Sequence, residues 1–140
     1  DSLLDRILIV HRYLEGSGLD AGDQFIKRLD SVESPLLKKA VSQIHFDEVG
    51  HVEFGSRWYR QICHLEKRDP AEDFHQRMQG LILKVPKRVE KINREIRARA
   101  GFNEFEMQYL EILRLWFLIP LADRKGQSFE NFYQSQVGIG

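Results

Sequence analysis

The sequence predicts an all-α fold, and three observations carry that prediction. Apolar residues recur at helical spacing over long stretches, Leu4 and Leu8 in the first and Leu37, Val41 and Ile44 in a later one, while no segment shows the apolar-polar alternation of a strand. Helix starts are explicit: Ser34-Pro35, Asp69-Pro70 with Glu72, and Asn103 with Glu106 each join a capping side chain to a first-turn proline or a capping-box acid. Breakers separate the segments at Gly16-Ser17-Gly18, Pro86, Gly101 and Pro120.

Taken in order, the first helix runs from Leu3 to Glu15 and stops at the Gly16-Ser17-Gly18 breaker; a short one covers Gly22 to Leu29. Ser34 caps a long helix that continues to Glu66, and Asp69 caps the next, which reaches Leu83. After Pro86, Lys87 to Arg99 is expected to be helical until Gly101 ends it. Asn103 then opens a final helix that bends or stops near Pro120. From Gly126 the residues are mostly polar, so the expected organisation is one helical domain over 1–125 and a polar tail over 126–140, with no internal repeat.

Composition narrows the setting. At 140 residues and 42% hydrophobic content, one domain can bury a real core. Lys plus Arg and Asp plus Glu both total 21, so no global field draws the chain to nucleic acid or to a membrane. The single cysteine, Cys63, excludes an internal disulfide framework and suits a reducing compartment. No signal-peptide pattern is present, and the most apolar run, Tyr109 to Leu121, is broken by Glu111 and Arg114 and falls short of a bilayer span. A soluble cytoplasmic protein is the expectation. Between Lys84 and Arg99 seven basic residues outnumber Glu90 and Glu95, but no aromatic residue is interleaved for base stacking. This stretch reads as a solvated helix face, and nucleic acid is not a predicted partner. Trp58, Tyr59, Trp116 and Phe117 read as core.

The informative anomaly is Glu48. At ~100° per residue, Leu37, Val41, Ile44, Val52, Gly55, Tyr59 and Ile62 all point within roughly 40° of it, which places a carboxylate on the apolar stripe of the long helix. Such a group must be protonated, paired or bound to a metal. His51 follows at i+3 on the same face, so the two side chains can share a metal or satisfy each other. The first helix repeats the pattern: Leu4, Leu8, His11 and Glu15 recur at helical spacing and put a second carboxylate on the apolar line. Four-helix carboxylate bundles build two-metal centres from one Glu on each of two helices and Glu-x-x-His on each of the other two. Glu15, then Glu48 with His51, supplies half of that set. His11 and His45 flank the same stripe and read as hydrogen-bonded histidines outside the ligand shell. Asp47 points away and reads as surface.

Leu14-Glu15-Gly16-Ser17-Gly18-Leu19-Asp20 resembles a Glu-Ala-Arg-Gly-Leu-Asp signature, and Asp47-Glu48-Val49-Gly50-His51-Val52 resembles the second ligand motif, of an uncharacterised ferritin-like family (domain of unknown function 455) related to the di-iron hydroxylase of a modified tRNA adenosine. Gly55-Ser56-Arg57-Trp58-Tyr59-Arg60 and Ala98-Arg99-Ala100-Gly101-Phe102 extend the resemblance over the greater part of the chain. Gly16 and Ser17 depart from the signature's Ala and Arg but leave its Glu in place. The resemblance implies a ferritin-like bundle whose members carry an earlier Glu and an earlier Glu-x-x-His, and no residues upstream of Glu15 match them. The chain therefore reads as the C-terminal part of a longer protein that begins here at Asp rather than Met. The other half-site would come from an N-terminal segment or from a second copy in a homodimer.

Hard carboxylates with imidazole suit iron, or manganese, at two adjacent positions. Glu48 is expected to bridge the metals, with Glu15 and His51 as terminal ligands. The reading is a di-metal oxidase or hydroxylase that uses dioxygen on a small molecule or modified nucleoside. The alternatives are iron storage, disfavoured by the incomplete ligand set, and a metal-free helical interaction module.

Overall fold

The computed structural model describes residues 2–138, and these are all-helical, with no strand among them. Helix α1 occupies 3–28 without a break, as three joined stretches: α-helical Leu3–Arg6, a wider π-helical turn Ile7–Leu14, and α-helical Glu15–Arg28. A capping box starts it, the Ser2 hydroxyl accepting from the Asp5 N–H at 3.1 Å and the Asp5 carboxylate accepting from the Ser2 N–H at 2.9 Å. The expected stop at Gly16-Ser17-Gly18 does not occur. Gly16 is small for another reason: a Cβ there would lie 2.4 Å from Arg97 Nη1, so its role is close approach rather than termination. Ser17 satisfies itself inside the helix by donating to the Tyr13 carbonyl at 2.6 Å.

A 3-10 turn, Leu29–Ser31, leads to α2, Pro35–Leu65, where Ser34 accepts from the Leu37 N–H and proline fills the first turn as expected. Helix α3 spans Pro70–Leu81, with Asp69 accepting from the Glu72 N–H at 2.9 Å. The helix expected over Lys87 to Arg99 shrinks to α4, Arg94–Arg99. Its start is fixed by tertiary structure: the Asn93 N–H donates to Asp20 at 2.9 Å while the Asn93 side chain caps the Ile96 N–H. Gly101 ends α4 as expected, at φ 87°, with Phe102 and Gly101 donating back to the carbonyls of Arg97 and Ala98. Helix α5, Glu104–Leu118, has the capping box of Asn103 and Glu106.

The expected polar tail over 126–140 is a packed helix over most of its length. Ser128 caps α6, Phe129–Val137, and Phe129 and Tyr133 are buried against Trp116 and Tyr109 of α5. The apolar spacing of Phe129, Phe132 and Tyr133 outweighs the polar residues between them. One apolar cluster joins all six helices, with Leu8, Leu19, Val52, Tyr59, Cys63 and Leu113 fully enclosed.

Helices α1 and α2 run antiparallel and touch at two tight points. A Cβ on Gly55 would sit 2.4 Å from the His11 Cβ, and one on Gly22 would sit 2.4 Å from His45 Nδ1. The stripe of α2 is buried only in its second half. Val52, Gly55 and Tyr59 are enclosed, whereas Leu37 and Ile44 are 45% and 65% exposed, as are Leu36, Phe46, Phe54 and Trp58 to similar degrees. The expectation of an apolar stripe buried along its whole length is therefore corrected, and Trp58 is not core: α1 touches the first half of α2 at His45, while Leu36, Leu37, Ile44 and Phe46 there stay exposed among the described residues. Among the described residues no helix is long and apolar enough to cross a membrane.

Candidate metal centre

Glu15 begins the regular part of α1 immediately after the π-helical turn, and its N–H donates to the Val10 carbonyl five residues back. Turns of this kind are frequent at functional sites, where they re-aim side chains inside an otherwise regular helix. Here the wider turn buries the adjacent pair Arg12 and Tyr13 and leaves His11 and Glu15 on the other side, with Nδ1 and Oε2 3.0 Å apart. On α2, His51 Nδ1 lies 3.5 Å from Glu48 Oε2. Glu48 is 31% exposed and Glu15 28%, so neither carboxylate is sealed in the core.

The two tight helix contacts set the register. Stepping between His11 with Gly55 and Gly22 with His45, Glu15 falls level with His51 and Val52, and Glu48 falls level with Gly18 and Leu19. The two levels are separated by about one helical turn, ~5 Å. Each carboxylate is already paired with an imidazole on its own helix, and among the described residues no hydrogen bond or ion pair joins the two pairs. Nor does any group of three or more His, Cys, Asp or Glu among them form a metal-holding cluster. His45 packs on Gly22 with its Nε2 buried and unpartnered, and Asp47 accepts from Gln43 at 2.9 Å on the exposed side.

Beneath these pairs lies a buried ionic network that the sequence did not disclose. Asp20, with no exposed side-chain surface, accepts from Arg97 at 2.6 and 3.1 Å and from Arg114 at 3.2 Å. Arg114 also donates to Ser17 at 3.1 Å and to the Glu90 carbonyl at 2.6 Å. Burial pulls the Arg114 guanidinium below its usual pKa, against the opposing pull of Asp20. Next to it, Arg12 pairs with Glu106, donates to Ser56 at 3.2 Å, and lies over the rings of Tyr59, Phe74 and Phe102. Ser56 passes the chain of bonds on to the Ala100 carbonyl at 2.8 Å, and Arg60 donates to the Gly101 carbonyl. The segments Gly16–Asp20, Ser56–Arg60 and the stretch around Gly101, which looked like separate motifs, meet in this network. Arg97 is inside it, and Arg94 and Arg99 pair with Glu111, Glu104 and Glu95, so much of the basic stretch is neutralised locally.

An all-helical protein with two carboxylate-imidazole pairs on adjacent antiparallel helices is the class that fold and site define. The chain belongs to the family described as "Protein of unknown function (DUF455)", which matches residues 1–108. A relative from Haemophilus influenzae, described only as "Uncharacterized protein", is 27% identical over 106 residues, covering 76% of this chain and 36% of the relative. The chain thus spans about a third of the length of that relative. No solved structure matches.

Proposed function

We propose that Glu15, Glu48 and His51 supply half of a two-metal carboxylate centre, iron or manganese, in a ferritin-like bundle that acts as an oxygen-activating oxidase or hydroxylase. The observation that carries this reading is the register of α1 on α2, which brings Glu15 level with His51 one turn from Glu48. The donor set fits: two hard carboxylates and an imidazole suit these metals, and both carboxylates remain partly exposed. Three donors do not complete two metal shells, so the remainder belongs to another segment of the longer protein or to a second copy. The exposed apolar residues Leu36, Leu37, Ile44 and Phe46 of α2 are where such a segment would pack. When bound, the metals would supply dioxygen activation. The chain's own contribution is to hold the donors: His11 fixes the Glu15 carboxylate, His51 steadies Glu48, and the ionic network behind them locks the backbone of α1.

Elemental analysis of the full-length protein after anaerobic ferrous loading tests the proposal. About two metal ions per complete site, lost in Glu48→Ala with the fold intact, is the expected result. A full-length protein that takes up no metal would overturn it.

The exposed apolar face of α2 favours one second reading, a metal-free helical interaction module. On that reading Glu48→Leu raises stability, because apolar packing often replaces an ion pair favourably; on the metal reading the same change abolishes metal uptake.

A further inference from the structure

We propose that a cavity of about 610 Å³ bounded by α3, α5 and α6 binds a small amphiphilic anion, a carboxylate carried on an apolar body. None of its lining residues lies on α1 or α2, so it is separate from Glu15, Glu48 and His51 and does not depend on the metal reading. Ile82, Val85, Trp116 and Phe129 form apolar walls, and the size suits one small molecule buried over most of its surface.

The charge at the mouth decides the class of ligand. Arg124 lies over the Trp116 ring, 4.4 Å from its centre, and is pinned there by two neutral acceptors, the Ile119 carbonyl to Nε and the Trp116 carbonyl to Nη2, both at 3.1 Å. Neither bond cancels its charge, and neither uses Nη1. Lys87, also on the lining, has no ion-pair partner among the described residues. The first turn of α6 adds to this field. The Ser128 hydroxyl accepts from the Asn131 N–H at 3.2 Å, which leaves the earlier N–H groups of Phe129 and Glu130 without intrahelical partners at the cavity. Glu130 is the acid on the lining, and it is already committed to His75 at 3.2 Å, to Gln79 and to Gln134 at 2.7 Å. Two cations against the single Glu130 carboxylate, with a helix N-terminus beside them, leave the rim of this apolar cavity net positive and favour an anion with a hydrophobic body over a neutral or cationic one. The apolar part lies against Trp116 and Val85, and the carboxylate is met by Lys87 and the Nη1 edge of Arg124.

Isothermal titration calorimetry of the full chain, stripped of metal by a chelator, tests this with decanoate below its micelle concentration. The expected result is one saturating site per chain for decanoate and binding about tenfold or more weaker for decyltrimethylammonium. Lys87→Glu and Gln127→Glu, both exposed positions on the lining, should each weaken decanoate by about tenfold while leaving the thermal melt unchanged. Absence of a saturating site, equal affinity for the cationic analogue, or binding indifferent to both variants would each overturn the proposal. Because metal is absent throughout, none of these outcomes bears on the two-metal reading.

Discussion

Replacing Asp20 with asparagine is the sharpest test of what holds this fold together. The carboxylate faces Arg97 and Arg114, whose side chains are 0% and 4% exposed, and it also receives the Asn93 N–H that starts α4. Asparagine keeps the shape and one acceptor oxygen but leaves Arg97 in the core without its carboxylate, and Arg114 with only Glu90 Oε2 at 3.4 Å. Removing one partner of a buried ion pair costs about 3–5 kcal/mol, because the charge left behind stays desolvated. For 140 residues, an unfolding entropy of about 2.1 cal/mol/K per residue amounts to about 0.3 kcal/mol/K, so Tm should fall by roughly 10–17 °C. Far-ultraviolet circular dichroism during heating reads this directly. Glu95→Ala, which removes an exposed partner of Arg99, is the control and should cost no more than about 0.5 kcal/mol. An Asp20→Asn variant that melts within about 3 °C of the parent would refute the claim that this network organises the core.

Three further outcomes are expected. Gly55→Ala places a methyl group 2.4 Å from the His11 Cβ and should destabilise by about 1–3 kcal/mol in urea titrations, since the clash is with the root of a helical side chain rather than a mobile end. Arg77 donates to Asp73 at 2.9 Å and to Asp5 at 2.8 Å. Burial alone would raise the Asp73 carboxyl, but bonds from Arg77 and Tyr59 hold it below the usual range; the Ser2 N–H and then Arg77 lower Asp5. Folded pKa values below the unfolded value of about 3.9 mean stabilisation that is present above that pH and lost as pH falls through the folded values. Arg77→Met should therefore unfold at higher pH than the parent in an acid titration followed by fluorescence, and an unchanged midpoint would count against the linkage. Burial pushes the Cys63 thiol up to about 11, so a thiol reagent at neutral pH should label it only on unfolding.

What could be read from the sequence was local. Ser34, Asp69, Asn103 and Gly101 end or begin helices where expected because each acts on backbone groups within a few residues. The spacing of Glu48 with His51 likewise survives as a side-chain pair, because neighbouring turns of one helix fix it. What depended on distant packing was not legible. Gly16 looked like a breaker because its true neighbour, Arg97, is remote in sequence, and α4 begins late because Asp20 holds Asn93. Arg12 and Asp20 carry no periodic signal that separates a buried ion from a surface one. The exposure of Leu37 and Ile44 was hidden for the same reason, since periodicity names a face of α2 without saying which element covers it.

The wide turn over Ile7–Leu14 has one more consequence. Hydrogen bonds that reach back five residues absorb one residue more than an α-helix does, so the faces of α1 before and after it are out of phase. A wheel drawn at ~100° per residue through the whole helix misaligns Leu4 with Glu15 by up to one residue's rotation. Deleting a single residue within this turn would let it relax into a plain α-helix while the Leu4 end and the Glu15 end keep their present relation. The turn acts as a phase adjuster: a plain helix one residue shorter over this stretch presents the same two faces, and an alignment that leaves out that one-residue gap would bring the wrong face of the helix to the side of Glu15.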